Sequence, residues 1–428
     1  MSAPAAAARQ KTQSAAKPKP KRKAAPRPKP LQFELNLIVL VTTALVLFGL
    51  VMVYSATSGS AVLGHGNPQG YVERQALFAV GGLIALFVLS RLDLAKLRAL
   101  APTLLVIAAI LCVGVLAVGG RINGARRWVD IGPLAFQPSE FAKLALVVWV
   151  AAHLSRRPAP RTLGELVRPV GLVAFGFAAI VLFEPDLGTT LVIMLVVGAI
   201  LLVSGTRASV LAMAYGLVIG LAAIFAWTEP YRRARLLTFL DPWKDPSGAG
   251  LQNVQALISL GSGGIWGTGL AQGTSTLKYL PEAPTDMMAA VIGGQFGLIG
   301  MLLVFVAFGA FAYAGIRIAI ACKDPFAKRL AAGVTALVCG QAAINIAAVV
   351  GAAPLTGIPL PFLSYGGSSL IVMLGAVGVL LNIARNGGRA AAAVPDRGRG
   401  DGGTRRAGTR GRGSASAPRR ARDVRRVS

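Results

Sequence analysis

Histidine, cysteine and acidic residues are scarce in this sequence. Only His65 and His153 occur among 428 residues, which disfavours a histidine-based metal centre or a nucleophile–histidine triad. The three cysteines, Cys112, Cys322 and Cys339, sit in or beside apolar segments without paired spacing, and so give no reason to expect disulfides or a zinc site. No GxxxxGK[ST] stretch is present, which speaks against nucleotide hydrolysis. Asp and Glu number 17 against 44 Lys and Arg, a formal charge of +27. That excess resembles a nucleic-acid signal until it is located. Residues 1–30 carry nine basic and no acidic side chains, and residues 387–428 carry twelve Arg against three Asp, so nine charges from each tail make up 18 of the 27. Both tails are rich in Pro, Ala, Gly and Ser without apolar periodicity, a composition expected to stay disordered. Beside a membrane, such tails are expected to anchor to anionic lipid, and no nucleic-acid partner is expected.

Apolar residues dominate instead. The chain is 54% hydrophobic and 14% charged, with 51 glycines and a mean hydropathy of +0.62, which places it among polytopic membrane proteins. Apolar runs fall at 36–54, 75–90, 99–118, 140–154, 168–183, 187–203, 207–226, 287–316, 329–350 and 368–385. The expectation is an all-α fold of ten transmembrane helices, although several runs are shorter than the ~20 residues of an untilted span and the eighth is longer. The first run is too long and too far from the start for a cleaved signal. Three regions follow: a basic tail over 1–32, a membrane domain over 33–386, and an Arg-rich tail over 387–428.

Basic residues in the short loops set the orientation. With the amino terminus inside, inner loops hold Arg91, Lys96 and Arg98, then Arg156, Arg157, Arg161 and Arg168, then Arg317, Lys323, Lys328 and Arg329. Ten crossings bring both tails to the cytoplasmic side. Two outer loops break the trend: residues 119–143, with Arg126 and Arg127, and the large loop between helices 7 and 8, with Arg232, Arg233, Arg235, Lys244 and Lys278. Outer-face cations suit an anionic group; an interfacial segment pairing with lipid phosphates is the alternative.

Four motifs lie at that outer side. In "QPSEFAK", Gln137–Lys143, Pro138 fits a helix entrance, Ser139 is placed to cap, and Glu140 and Lys143 share a helix face at i, i+3. They either neutralise each other or join Arg126 and Arg127 in a cationic pocket, where the guanidinium fork suits a developing pyrophosphate. In "FEPDLGTT", Glu184 and Asp186 occupy a tight turn, and capping is the simpler role for Asp186. "LTGIPLPFLSYGGSS", Leu355–Ser369, is too irregular to face lipid and reads as a cavity wall, with Ser364 and Tyr365 bonding either a sugar or local backbone. "YLPEAPTDMMAAVIGGQFG", Tyr279–Gly297, puts Glu282 and Asp286 at the mouth of a glycine-rich helix, with Gly293, Gly294, Gly297 and Gly300 spaced for close packing. Capping would account for Asp286; so would service as general base for an alcohol nucleophile beside the cationic loops.

With "GARRWVDIGPLAFQPSEFAKL", "EPDLGT", "FLDPWKDPSGAGLQNVQALISLGSGGIWGTGL", "YLPEAPTD" and "TGIPLPFLSYGGSSL" in this order, the chain closely resembles the SEDS family (shape, elongation, division and sporulation) from 36 to 385. "DPW" and "YLPEA" are more similar to its division branch than to its elongation branch. The resemblance implies a peptidoglycan glycosyltransferase that polymerises lipid II on the outer face of the cytoplasmic membrane, at the division septum, working with a class B penicillin-binding protein and other divisome membrane proteins. Elongation or sporulation service, lipid II transport and a non-catalytic divisome scaffold are the alternatives. Asp286 matches the family's essential aspartate, and Arg127, Gln137, Glu140 and Lys143 its substrate-handling loop; Asp186, Lys278, Glu282, Ser364 and Tyr365 complete the expected binding set. The transfer implied is inverting, from an undecaprenyl-pyrophosphate donor. A divalent cation such as magnesium or manganese is compatible with the resemblance, but the sequence carries no dedicated metal site. Pro284 stands where the family usually has His, and Gly294-Gln295 where an acidic pair is common.

Overall fold

The computed structural model describes residues 31–61, 67–122, 125–131, 134–184, 186–228, 238–248, 250–270, 280 and 282–386; both basic tails and Lys278 lie outside them. A helix stands at each of the ten apolar runs. In chain order these are α1 (Gln32–Ala61), α2 (Pro68–Arg91), α3 (Leu94–Val118), α4 (Pro138–Ser155), α5 (Leu163–Phe183, with a π-helical turn at Val167–Gly171), α6 (Leu187–Ser204) and α7 (Ala208–Thr228). A shorter helix, α8 (Leu251–Gly263), lies in the connection to α9 (Met288–Ala321), which is followed by α10 (Pro325–Val349) and α11 (Gly367–Asn386). Among the described residues, eight helices are long and apolar enough to cross a membrane. The exceptions among the ten are α4, which contains Glu140 and Lys143, and α7, whose shorter stretch Ala208–Leu221 is apolar.

The fold is not purely helical. Between α3 and α4, β1 (Gly120–Ile122), β2 (Ala125–Ile131) and β3 (Leu134–Phe136) form an antiparallel sheet in chain order. Gly120 pairs with Trp128 and Val129 with Phe136. The Asn123-Gly124 dipeptide between β1 and β2 is a strong hairpin signal, and it corrects the all-helical expectation at this point. The sheet marks one end of the bundle, called here the sheet end.

Lipid gives helices no hydrophobic reason to associate, so close packing has to hold the bundle. α11 is its axis, buried almost throughout from Gly367 to Ile383. It meets α2 through small residues: a Cβ at Gly82 would clash with Leu374, one at Gly367 with Phe78, and one at Gly378 with the Leu86 carbonyl. The outer faces of α2 and α3 instead expose Ile84, Phe87, Val106 and Ile110, as lipid-facing surface requires.

The long α9 is broken at Gly297, whose φ of 65° and ψ of −157° are open essentially only to glycine. The break frees backbone groups, and the segment after α8 takes them up. Thr268 N and Gly269 N each donate at 3.0 Å, to Gly294 O and Gln295 O, while Leu298 N and Ile299 N donate to Gly264 O and Ile265 O at 2.9 and 3.3 Å. Of the glycines expected to allow close packing, Gly293, Gly294 and Gly297 serve α8 and its following loop, with Gly263 backed onto Gly293 and Gly267 onto Gln295, whereas Gly300 meets Phe296 and Ile292 of its own helix.

Candidate active site

The crossover from α10 to α11, residues 350–366, is the hub of the sheet end. Thr356, Ile358, Leu360, Phe362, Leu363 and Ser364 are buried in it, so its irregular backbone needs partners inside the protein. It finds them on three elements, and a fourth packs closely against it. Gln341 Nε2 of α10 donates to Pro359 O at 2.9 Å, and Asn345 Nδ2, one turn on, donates to Ile358 O at 2.8 Å. From α2, Gln75 Nε2 donates to Ser364 O at 3.1 Å and its Oε1 accepts from Gly366 N at 3.4 Å. Gly188 of α6 packs so closely that a Cβ there would sit 2.6 Å from Thr356 O. Finally, Tyr365 N donates to Pro284 O at 2.7 Å and so pins the turn that carries Asp286.

Asp286 is half-buried in the turn at 282–287. Helix α9 starts two residues later, with Met287 in the capping position and no side-chain cap, so the capping role expected for Asp286 is not realised. Its carbonyl accepts from Asn345 Nδ2 at 2.8 Å, and its Oδ2 lies 4.0 Å from where a Cβ on Gly357 would stand. Thr285 Oγ1 is 3.3 Å from Asp286 Oδ1 and 2.9 Å from Glu282 Oε2, and its single proton serves one of them at a time. Glu282 is exposed at a positive φ of 55°.

Deeper in α4, Lys143 and Glu140 form an ion pair at 2.8 Å with both side chains almost fully buried. Lys143 also donates to Gln341 Oε1 at 2.6 Å, so the amide that holds the crossover carbonyl holds this cation too. Mutual neutralisation is therefore realised. Pro138 takes the first helical turn as expected, but Gln137 is the capping residue, and Ser139 Oγ caps nothing and has no partner among the described residues.

A third cluster joins the sheet to the α5–α6 turn. Arg127 Nε of β2 donates to Glu184 O at 2.7 Å, and Gln137 Nε2 donates to Asp186 Oδ2 at 3.3 Å. Asp186 caps α6 as expected, accepting from Thr189 N at 2.9 Å. Ser368 Oγ accepts from Gln137 N at 3.0 Å and donates to Ala135 O at 3.1 Å, tying sheet, α4 and α11 together. Glu184 is buried with neither carboxylate oxygen hydrogen-bonded among the described residues. Burial, and then the neighbouring Asp186 charge, push its carboxyl up to about 8 against the opposing pull of Arg127.

Most of the expected site is thus gathered at the sheet end. Ser364 Oγ accepts from Leu360 N at 2.9 Å, which realises the local-backbone alternative for that residue. Tyr365 packs edge-on against Tyr71 at 5.0 Å, and the Arg74 cation lies near its hydroxyl. Gln75, Gln341, Asn345 and Ser368 had gone unnoticed. Their signal was a polar side chain inside an apolar run, costly in a membrane helix and therefore informative.

The sequence model of the FtsW/RodA/SpoVE family, described as cell cycle proteins, matches residues 35–388. The chain belongs to this family. Stage V sporulation protein E of Bacillus subtilis (strain 168) is 38% identical over 357 residues, covering 81% of this chain and 96% of that protein. A Geobacter sp. (strain M18) protein named "Probable peptidoglycan glycosyltransferase FtsW" is 38% identical over 356 residues, covering 81% and 95%. Among solved structures, a chain of a peptidoglycan synthase complex described as coordinating polymerization and crosslinking superposes with a TM-score of 0.69 at 30% identity, covering 82% of this chain and 97% of that one. The rod shape determining protein RodA of Thermus thermophilus gives 0.61 at 28% identity, covering 82% and 96%. The positions where the resemblance leads to an expectation of His and of an acidic pair make local contacts here. Pro284 supplies the carbonyl that Tyr365 N reaches, Gln295 Oε1 accepts from Ser55 Oγ at 2.8 Å, and a Cβ at Gly294 would already press on Ser259 Oγ at 2.7 Å.

Among the described residues no three His, Cys, Asp or Glu side chains converge, and Glu184 and Asp186 share their surroundings with the Arg127 cation.

Proposed function

We propose that this chain is a peptidoglycan glycosyltransferase that polymerises lipid II at its sheet end, on the outer face of the cytoplasmic membrane, with ten crossings and both tails inside. The observation that carries this is the shared anchorage of a carboxylate and a buried cation. One face of α10 holds the Asp286 main chain through Asn345 and Lys143 through Gln341, and both amides hold the same crossover. Asp286 accepts the proton of the acceptor sugar hydroxyl. The oxygen then attacks the donor's anomeric carbon, the bond from that carbon to the pyrophosphate oxygen breaks, and undecaprenyl pyrophosphate leaves with the electron pair. Arg127, half-buried and held through its Nε, brings a permanent positive charge to the side of that developing charge. One base and one stabilised leaving group suffice for a single displacement, hence inversion. Lys143 is engaged by Glu140 and Gln341, and its part is to lock α4 against α10.

Relatives named FtsW, a family described as cell cycle proteins and the division-like motifs support service at the septum. Similarity to a chain of a synthase complex that couples polymerization to crosslinking supports a class B penicillin-binding protein as partner. The test is glycan polymer formation from lipid II by the purified chain with its transpeptidase, comparing wild type with Asp286→Ala in complexes shown to be folded. Polymer from the first and not the second is expected. Silence from both, while a related enzyme works in the same assay, would move the assignment to transport or scaffolding.

A further inference from the structure

Asn345 makes an unusual pair of bonds. Its Nδ2 donates to two carbonyls from segments far apart in sequence, Asp286 O and Ile358 O, each at 2.8 Å. A carbonyl can only accept, so the side chain has to turn its NH2 toward both, and Oδ1 is forced to the other side. There it is buried without a hydrogen-bond partner among the described residues. A lone buried acceptor is unfavourable, so a residue chosen only to stabilise this helix would not leave one.

The two tethered segments matter as much as the bonds. One is the turn that carries Asp286; the other follows Gly357, the crossover residue facing Asp286 Oδ2. Gly357 adopts a positive φ of 67°, so the chain passes Asp286 there without a side chain. One turn back along α10, Gln341 grips Pro359 O and Lys143. We propose that Asn345 is a positioning residue of the transfer reaction, whose double donation fixes Asp286 relative to the crossover and, through Gln341, to the Lys143 ion pair. Asn345 does not touch the reacting atoms; it acts through Asp286, and the inference therefore rests on the reading of Asp286 as general base.

The bundle supplies its own control. Asn382 of α11 also donates through Nδ2 to two carbonyls, Leu89 O and Leu92 O, but where α2 gives way to α3, at the end away from the sheet. The experiment compares wild type, Asn345→Leu, Asn382→Leu and Asp286→Ala in complex with the transpeptidase, measuring kcat and KM for lipid II and thermal midpoints. Leucine keeps the branching at Cγ and removes both donors. Since small misplacements of a reacting group cost rates of this order, Asn345→Leu is expected to lower kcat about 100-fold while KM stays within about twofold. Asn382→Leu is expected to lower the midpoint at least as much yet keep kcat per folded complex.

Equal kcat losses in the two leucine variants, a loss confined to KM, or an unchanged kcat in Asn345→Leu would each overturn the proposal. If Asn345→Leu does not fold, Asn345→Asp takes its place: it keeps the size, replaces the donor with an acceptor facing two carbonyls, and is held to the same outcomes. Full activity in Asp286→Ala would instead remove the base assignment itself, and an inactive folded wild type would remove the glycosyltransferase reading.

Discussion

Lys143 Nζ lies 2.6 Å from Gln341 Oε1 and 2.8 Å from Glu140 Oε1, in a position that solvent barely reaches. Removing one partner of a buried pair leaves an uncompensated charge, which costs about 3–5 kcal/mol, whereas removing both with apolar groups of similar volume is often close to neutral. Lys143→Met should therefore unfold markedly earlier than wild type in a detergent thermal melt, and Glu140→Leu/Lys143→Met should recover much of the difference. Equal melting of the single and double variants would show that the Glu140 charge is compensated by some other group.

Arg127 makes a different demand. Its Nε is spent on Glu184 O at 2.7 Å, which sets the plane of the guanidinium. Lysine has no planar fork, so it cannot reproduce the bond to that carbonyl while keeping the cation in the same place and orientation. Arg127→Lys should lose about as much polymerisation rate as Arg127→Ala, at least tenfold by the usual worth of an electrostatic donor to a leaving group. Full activity in the lysine variant would reduce Arg127 to a point charge.

The scaffold was legible in the sequence because hydrocarbon imposes one strong rule, that backbone polar groups be satisfied inside the helix. All ten apolar runs became helices, with ends moved by up to seven residues. What escaped notice depended on contacts remote in sequence. Ser139 looked like a cap, but the helix entrance is set by Gln137, whose N–H bonds Ser368 of α11. Asp286 looked like a cap too. Its turn is held from outside, by Asn345 of α10 and by Tyr365 through Pro284, so α9 begins after it. The sheet is signalled in the sequence by Asn123-Gly124 alone, a two-residue cue set among a run of cations.

Glu184 gives a pH signature. Burial and Asp186 hold its folded carboxyl up at about 8, above its ordinary value of 4.5, so between those values the folded chain keeps a proton that the unfolded chain has lost. Stability from this group is complete below the lower value and drains away as pH rises through the upper one, with a limiting slope of about 1.4 kcal/mol per pH unit. Glutamine cannot ionise. The melting midpoint of wild type should fall relative to Glu184→Gln from pH 5 to pH 8 and run parallel to it above that. Parallel curves across the whole range would mean that the carboxyl is already ionised at pH 5.

The last prediction separates two glycines of α9. At Gly297 a Cβ would stand 2.5 Å from Gly267 N and Ile265 O, on a backbone with φ of 65° that side chains rarely adopt. At Gly309, twelve residues on and facing out of the bundle, a Cβ meets nothing within 4 Å. Alanine at Gly309 relieves the helix of glycine's backbone entropy and should leave the melting midpoint unchanged or raise it. Alanine at Gly297 must either shift the 264–269 segment or straighten α9, and straightening would strand the four backbone bonds that the break makes possible. The strain alone is worth about 1–3 kcal/mol. Limited proteolysis in the connection that contains α8 should accelerate in Gly297→Ala and not in Gly309→Ala, because α8 docks on the half of α9 that the break creates. Equal cleavage of the two variants would show that α8 is held by its side chains and does not need the kink.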